Sequence, residues 1–224
     1  MFPNAANGVK KIYTAEILML IATLVSIIAA IAMVIGGATA VAAQEVGSNA
    51  AMVAAGGSIL GAGLFVFVAA VLSIIAFIMN IVGVKNAAKD EEQFKAAMTV
   101  IIIGIICALV TGLFRSVPLL AEIAKNVTKI CEILTTFYIL SGIIHLAEQL
   151  GDTEMSSRGQ AIRKLILIIW VISLVINIIS SIFTVAPAMT AIGGVLAIVA
   201  LAISLVSYIM YLRLLSQARK MLGA

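Results

Sequence analysis

Long apolar runs, separated by short stretches that carry most of the charges, dominate the pattern of hydrophobic and polar positions along this chain. The runs are continuous rather than alternating, and they far exceed the roughly ten residues of a transmembrane β-strand. Since a helix rises about 1.5 Å per residue, about 20 apolar residues cross a hydrocarbon core about 30 Å thick. The pattern therefore predicts six membrane-spanning helices, at about Ile12–Ala38, Gly57–Val84, Ala96–Phe114, Ile130–Leu146, Leu165–Val185 and Ala188–Leu212.

Composition places the chain among all-α integral membrane proteins. Hydrophobic residues make up 63% of the 224 positions and charged residues 11%, and the mean hydropathy is +1.24. So little polar surface excludes a water-soluble domain of this length. Helices are expected because hydrocarbon offers no partner to a free backbone N–H or C=O group. We predict a single transmembrane domain over residues 1–224.

Basic residues concentrate on one side of the predicted bundle. Eleven of the 14 lysines and arginines fall there, whereas Arg115, Lys125 and Lys129 lie on the other side. Because Lys and Arg accumulate on cytoplasmic flanks, we predict that both termini are cytoplasmic in a multi-pass protein of the cell (plasma) membrane, surrounded by the lipid bilayer. The net charge of +4 requires no nucleic acid, and no basic block with interleaved aromatics indicates one.

Two seven-residue segments at the ends of apolar runs resemble each other. "GLFRSVP" ends the third apolar run and "SIFTVAP" ends the fifth, and an offset of 69 residues aligns Phe114 with Phe183 and Pro118 with Pro187. A proline is well tolerated in the first turn of a helix, so each is expected to begin a return helix. We therefore predict an internal pseudo-threefold repeat of three helical hairpins, of which the first has a long outer connection rich in Ala and Gly. The hairpins cover about 10–90, 95–150 and 163–220.

Small residues recur at every fourth position of the first, third and fifth helices. In lipid, small residues let helix backbones approach closely, so we expect these three helices to meet through such stripes. Gly57 and Gly61 give the second helix a similar face. The stripes consist of Ala22, Ser26 and Ala30, of Gly104, Ala108 and Gly112, and of Ser173, Asn177 and Ser181.

Few polar side chains lie inside the predicted spans. Glu16 is one turn inside the first span, where a carboxylate is either a functional residue or snorkels toward a basic flank. Asn80 and Asn177 must find partners, which makes each an interhelical hydrogen bond or a ligand contact. His145 is the only histidine and Glu148 is one turn further on, a pair that falls short of a zinc site and favours a pH-sensitive or interfacial residue.

The fourth predicted helix begins with an amphipathic segment on the side that is poor in basic residues. From Pro118 onward, Lys125 and Lys129 share a polar face with acidic neighbours, and Arg115 lies just before it. This segment projects from the membrane. It either receives a partner or an anion at Arg115, Lys125 and Lys129, or forms a solvated face with Glu–Lys pairs.

Catalytic and cofactor motifs are missing from the sequence. It contains no HExxH or GxGD, no serine with a histidine and a buried aspartate, and no Gly-rich phosphate loop after a strand. The two cysteines, Cys107 and Cys131, form no CxxC. We therefore expect no enzyme activity, no catalytic residue, no metal site and no cofactor.

Two functions compete. The stripes and the scarcity of deep polar residues favour a non-catalytic role in assembly, as a scaffold, an accessory subunit or a homo-oligomer with a membrane partner. The alternative is transport or capture of a small solute at a site among helices 1, 3 and 5. Six helices with both ends inside, a long first outer loop and an Ala-rich first helix are similar in architecture to the substrate-binding membrane subunits of energy-coupling-factor vitamin transporters. Under this alternative the ligand-binding residues are Glu16, Ser26, Asn80, Ser173, Asn177 and Ser181, with Glu16 as a proton or cation site.

Overall fold

A computed structural model describes residues 2–46, 49–114, 117–183 and 190–223, with the side chains at 37–46, 49–60, 118–119, 121–122, 125, 173–183 and 190–204 excepted. Over this part of the chain every regular element is an α-helix. The helices are α1 (Pro3–Val46), α2 (Asn49–Ala87), α3 (Glu92–Leu113), α4 (Pro118–Gln149), α5 (Thr153–Phe183) and α6 (Thr190–Met221).

The all-helical class is confirmed for the described residues, and four of their helices are long and apolar enough to cross a membrane. Large apolar side chains cover these helices: Val34 is 72% exposed and Phe67 is 69% exposed on the isolated chain. A water-soluble protein rarely exposes continuous apolar surface of this kind, so these helices support a transmembrane protein. The four candidate spans are Pro3–Gly36, Gly61–Ala87, Glu92–Leu113 and Asn126–Gln149.

The outer connection of the first hairpin differs from the sequence prediction. The Ala- and Gly-rich stretch was expected to form a long loop, but α1 continues to Val46 and α2 already begins at Asn49. Alanine has the highest helix propensity, and an isolated glycine costs a helix only about 1 kcal/mol, so this composition sustains a helix when no proline interrupts it. The loop prediction was therefore wrong for all but residues 47–48, which lie outside the described part.

The chain divides into two units. One is Lys11–Asn80, and the other consists of Met1–Lys10 and Ile81–Ala224. In the first unit, α1 and α2 each bury alanines at intervals of seven residues. Many large side chains at the intervening sequence positions are exposed. Seven residues are about two helical turns, so each set lies along one face of its helix. We call these residues the alanine seam: Ala15, Ala22 and Ala29 of α1 with Ala62, Ala69 and Ala76 of α2.

In the second unit, α4 packs against α3, α5 and α6, and α6 also packs against α5. Phe94 of α3 is fully buried against Gly142 of α4, where an added Cβ would lie 2.5 Å from the ring. Gly159 of α5 meets Ile144 of α4 equally closely, at 2.6 Å. Glycines therefore set the approach of α3 and of α5 to α4.

Among the described residues, prolines lie at the starts of helices, as the sequence suggested. Pro118 occupies the first turn of α4, which confirms the predicted start of that helix. Pro187, its predicted equivalent, lies outside the described residues. Pro3 similarly begins α1, where its missing N–H group costs no hydrogen bond.

Candidate functional site

The turn between α2 and α3 carries two consecutive carboxylates that bind different helices. Asp90 accepts hydrogen bonds from the side-chain amide of Asn4 and from the backbone N–H of Ala5, both at 2.8 Å. Ala5 lies in the first turn of α1, where backbone N–H groups have no partner within the helix and the helix dipole favours an anion. Asp90 therefore caps α1 from a position far along the sequence.

The same hydrogen bonds determine the acidity of Asp90. Burial acts to raise the pKa of this carboxyl group, but the hydrogen bonds from Asn4 and from the backbone of Ala5 and Asn4, together with the charge of Lys89, lower it. The net result is a pKa below the ordinary value of 3.8. The carboxylate form is thus stabilised by the folded chain.

Glu91, the next residue, links the start of α3 to the end of α4. Its side chain is only 5% exposed, and one oxygen accepts from the backbone N–H of Gln93 at 3.4 Å, which caps α3. The other oxygen lies 2.8 Å from Nδ1 of His145. Gln149, one turn further along α4, places its amide 3.5 Å from the same oxygen, at the limit of a hydrogen bond.

This geometry gives His145 a defined orientation. The contact turns the Nδ1 edge of the ring toward Glu91 and leaves Nε2 on the opposite edge. The His145 side chain is 52% exposed, so the ring reaches the surface. A carboxylate-fixed histidine can act as a base or contribute one metal ligand, but among the described residues no group of three His, Cys, Asp or Glu side chains is placed to hold a metal ion.

Glu148 has a different role from the one that its position suggests. It lies one turn beyond His145, yet it accepts hydrogen bonds from Ser156 at 3.0 Å and from Gln160 at 3.3 Å, both on α5. The true partner of His145, Glu91, is 54 residues away in sequence. Sequence reasoning missed Glu91, and the one local signal for it was its place immediately before a helix.

The α2–α3 turn, the α4–α5 turn and the first turn of α1 form a polar network that we call the charged end. Acidic residues at the start of α5 complete this network. Asp152 accepts from the backbone N–H of Met155 at 2.9 Å and so caps α5. Glu154 pairs with Arg158 one turn later on the exposed face. The carboxylates of the charged end thus serve as helix caps and as ties between helices.

A second polar pair lies inside the apolar runs, within the unit Lys11–Asn80. Asn80 of α2 places its amide nitrogen 3.4 Å from a carboxylate oxygen of Glu16 on α1. The amide oxygen of Asn80 is buried and has no hydrogen-bond partner among the described residues. An unsatisfied buried polar group costs about 1–3 kcal/mol, so this atom is a candidate ligand contact.

Of the other predicted ligand residues, Ser26 has a described side chain, and its hydroxyl bonds within its own helix. Ser26 is exposed and donates its hydroxyl proton to the carbonyl of Ala22 on its own helix, at 2.9 Å. The side chains of Ser173, Asn177 and Ser181 lie outside the described part. Among the predicted ligand residues whose side chains are described, the structure brings together Glu16 and Asn80.

The predicted packing stripes are placed in several different environments. Ala22 belongs to the alanine seam, but Ala30 is exposed. Gly104 faces α4, where an added Cβ would lie 3.2 Å from Cβ of Cys131, so its close approach is to the return helix of its own hairpin. The remaining described members, Ala108, Gly112 and Gly61, are exposed, and neither glycine has an atom within 4 Å of an added Cβ.

The predicted outer site is described only in part. Lys129 lies exposed on α4. Arg115 and the side chain of Lys125 fall outside the described residues. So does the side-chain position of Gly57, which belongs to the predicted packing face of α2 and not to this site. The proposal of an outer anion or partner site therefore stays a prediction.

Comparison of the chain with known protein families, with curated proteins and with solved structures finds no match. Function is accordingly inferred from the residues and their geometry.

Proposed function

We propose that this chain is a polytopic membrane protein without catalytic activity that works in assembly, as a scaffold, an accessory subunit or a homo-oligomer. The observation that carries this proposal is the use of its polar side chains at the charged end. Asp90 binds α1, Glu91 binds α4 and Glu148 binds α5. These groups hold helices in place.

The α1–α2 hairpin supports the same proposal. Each alanine of the seam is at most 4% exposed, over two heptad intervals of each helix. Small side chains allow the close backbone approach that stabilises helix pairs in lipid. A rigid hairpin with an apolar exterior is suited to hold a neighbouring membrane chain.

The proposal includes six membrane crossings arranged as three hairpins. The four span candidates, the lengths of α5 and α6, and the start of α4 at Pro118 support it. The concentration of basic residues at one side supports cytoplasmic termini in a plasma membrane. The pseudo-threefold relation depends on helix 5, whose predicted stripe lies outside the described side chains.

Exposed small residues indicate where a second chain would pack. Ala30 of α1 and Gly61 of α2 lie on the exterior of the hairpin, where they leave shallow positions between large side chains such as Ile31. Another helix can approach such positions closely. We propose this exterior as the assembly face.

Native mass spectrometry from mild detergent tests the proposal. We expect a mass that is a multiple of 23.3 kDa, or the chain with a partner subunit. Ala30→Leu should lower the assembled fraction because it fills the shallow face. Ile31→Leu, at the neighbouring exposed position, is the matched control and should leave assembly unchanged. A lone 23.3 kDa chain across the concentrations found in membranes would contradict the proposal.

The Glu16–Asn80 pair favours a second candidate function, transport or capture of a small solute. Under this candidate the unpartnered oxygen of Asn80 contacts the solute or a coupling cation. Asn80→Leu should then abolish retention of a co-purifying small molecule. Ser73→Ala is the control, because the Ser73 hydroxyl bonds the Ala69 carbonyl on its own helix. Retention that is unaffected by Asn80→Leu would remove the support for this candidate.

A further inference from the structure

Arg163 of α5 is held by neutral groups of α4. One of its Nη atoms donates to the hydroxyl of Ser141 at 3.2 Å, and its guanidinium carbon lies 5.3 Å from the centre of the Phe137 ring. Ser141 is buried and in turn donates to the carbonyl of Phe137 at 2.9 Å. The arginine is thus oriented by a hydroxyl and an aromatic face.

No carboxylate neutralises this guanidinium in the described part of the chain. Arg158, one and a half turns earlier on α5, pairs with Glu154. Glu148, the acid on the facing side of α4, is occupied by Ser156 and Gln160. Arginine carries several N–H donors and remains charged, so Arg163 keeps donors and a full positive charge for an anion.

The position of Arg163 indicates which anion is available. Arg163 and Lys164 are the last charged residues before the apolar run that begins at Leu165. Phe137 and Ser141 lie two to three turns before the end of α4, inside its apolar run. Side chains at such a boundary meet lipid headgroups, whose phosphates are the anions closest to the hydrocarbon.

From this geometry we propose that Arg163 binds the phosphate of an anionic lipid in the groove between α4 and α5. The planar guanidinium pairs with two phosphate oxygens at once, an arrangement that a lysine ammonium does not reproduce. Phe137 and Ser141 act as positioning residues, since they fix the plane of the guanidinium before the lipid arrives. Low dielectric at the hydrocarbon boundary strengthens the charge pair.

The test uses the purified full-length chain in detergent, titrated with phosphatidylglycerol or with phosphatidylcholine and followed by native mass spectrometry. We expect wild-type chain to retain phosphatidylglycerol in preference to phosphatidylcholine. Arg163→Gln should weaken this retention by about tenfold, since a charged hydrogen-bonded pair is lost. Lys164→Gln removes the same charge at the adjacent exposed position and should change retention by less than about twofold.

Two further variants separate orientation from charge. Arg163→Lys keeps the charge without the planar fork and should bind more weakly than wild type. Ser141→Ala keeps the arginine and removes only the bond that orients it, so a smaller loss is expected. Ser141→Ala also tests the proposal if Arg163→Gln does not fold. Thermal unfolding of each variant shows whether it is folded.

Three results would overturn the proposal. Equal losses in Arg163→Gln and Lys164→Gln would show diffuse attraction to a basic surface. Equal retention of the two lipids by wild-type chain would show that the site has no anionic preference. Displacement of phosphatidylglycerol by millimolar inorganic phosphate would show a site for free phosphate; we expect no displacement, because the site lies at the lipid boundary.

Discussion

Replacement of Gly8 by alanine is a sharp test of how closely the start of α1 approaches the end of α2. An added Cβ at Gly8 would lie 2.6 Å from the carbonyl oxygen of Gly83, and 2.7 Å from both the backbone nitrogen and the Cβ of Ala87. Two of these atoms belong to the backbone and the third is attached to it. Side-chain rotation therefore cannot relieve the overlap, and the two helices must separate at this end.

The size of the effect follows from two opposed contributions. Carbon atoms in good contact are about 3.5–4.0 Å apart, so the overlap is about 1 Å, and overpacking of this kind costs about 1–3 kcal/mol. Alanine returns up to about 1 kcal/mol because it is a better helix former than glycine. We expect Gly8→Ala to lower the free energy of unfolding by up to about 2 kcal/mol.

Gly63→Ala provides the matched control. Gly63 is a helical glycine of α2 with no atom within 4 Å of an added Cβ, so only the gain in helix propensity remains. The assay is unfolding by sodium dodecyl sulfate in mixed micelles, followed by circular dichroism. Gly8→Ala should unfold at a lower detergent fraction than wild type, and Gly63→Ala at an equal or higher one. Equal midpoints for the two variants would refute the close approach at Gly8.

Three further predictions concern the charged end and the alanine seam. Asp90→Asn should cost about 1 kcal/mol, as for a lost helix cap. Because the pKa of Asp90 is lowered in the folded chain, this contribution is complete above the ordinary value of 3.8 and is lost as pH falls through the lower folded value. Wild type and Asp90→Asn should therefore converge in stability only in strong acid, and convergence near neutral pH would contradict the assignment. A double-mutant cycle of Glu91→Gln and His145→Ala should give a coupling of about 1 kcal/mol in unfolding experiments, and additive effects would show that their 2.8 Å contact contributes nothing. Ala22→Leu should destabilise the chain by about 1–3 kcal/mol in the same detergent titration, whereas Ala70→Leu, at an exposed site of α2, should leave the free energy of unfolding nearly unchanged; similar losses would mean that burial in the alanine seam does not determine the cost.

The helices themselves were predictable because their signal is local. Continuous apolar runs and a proline at position 118 were enough to predict where α4 begins. The outer end of the first hairpin was not, because a stretch rich in both Ala and Gly contains opposing signals. The helix continues there because the high helix propensity of the alanines outweighs the cost of the glycines.

The buried face of α1 illustrates a different limit. Small residues are so frequent in this helix that both a four-residue and a seven-residue spacing can be found, and Ala22 belongs to both. Which spacing is buried depends on the partner helix. The matching heptads of α2, such as Ala62 and Ala69, identify the seam, and they become informative only when the two helices are compared in antiparallel order.

Polar contacts were the least predictable feature, because their partners are distant in sequence. Glu16 and Asn80 were each recognisable as unusual residues in apolar runs, but 64 residues separate them and their contact is a result of folding. Helical spacing associated His145 with Glu148, one turn further along the same helix. Spacing along one helix cannot reveal Glu91, which reaches His145 from the start of another.

The two kinds of contact that stabilise this chain differ in what they require of the surroundings. In lipid, apolar side chains gain little by meeting one another, so the alanine seam depends on dispersion between closely spaced backbones and tolerates no added bulk. At the charged end water competes for every polar group, and a typical hydrogen bond contributes only about 1 kcal/mol, so several ties are needed. This explains why consecutive residues of one short turn, Asp90 and Glu91, each bind a different helix. Glu16 and Asn80 belong to neither kind of contact. They lie inside the apolar runs, and the buried amide oxygen of Asn80 has no hydrogen-bond partner among the described residues. Such an atom persists at a cost to stability, which is the physical reason to keep a ligand at this pair as the competing function.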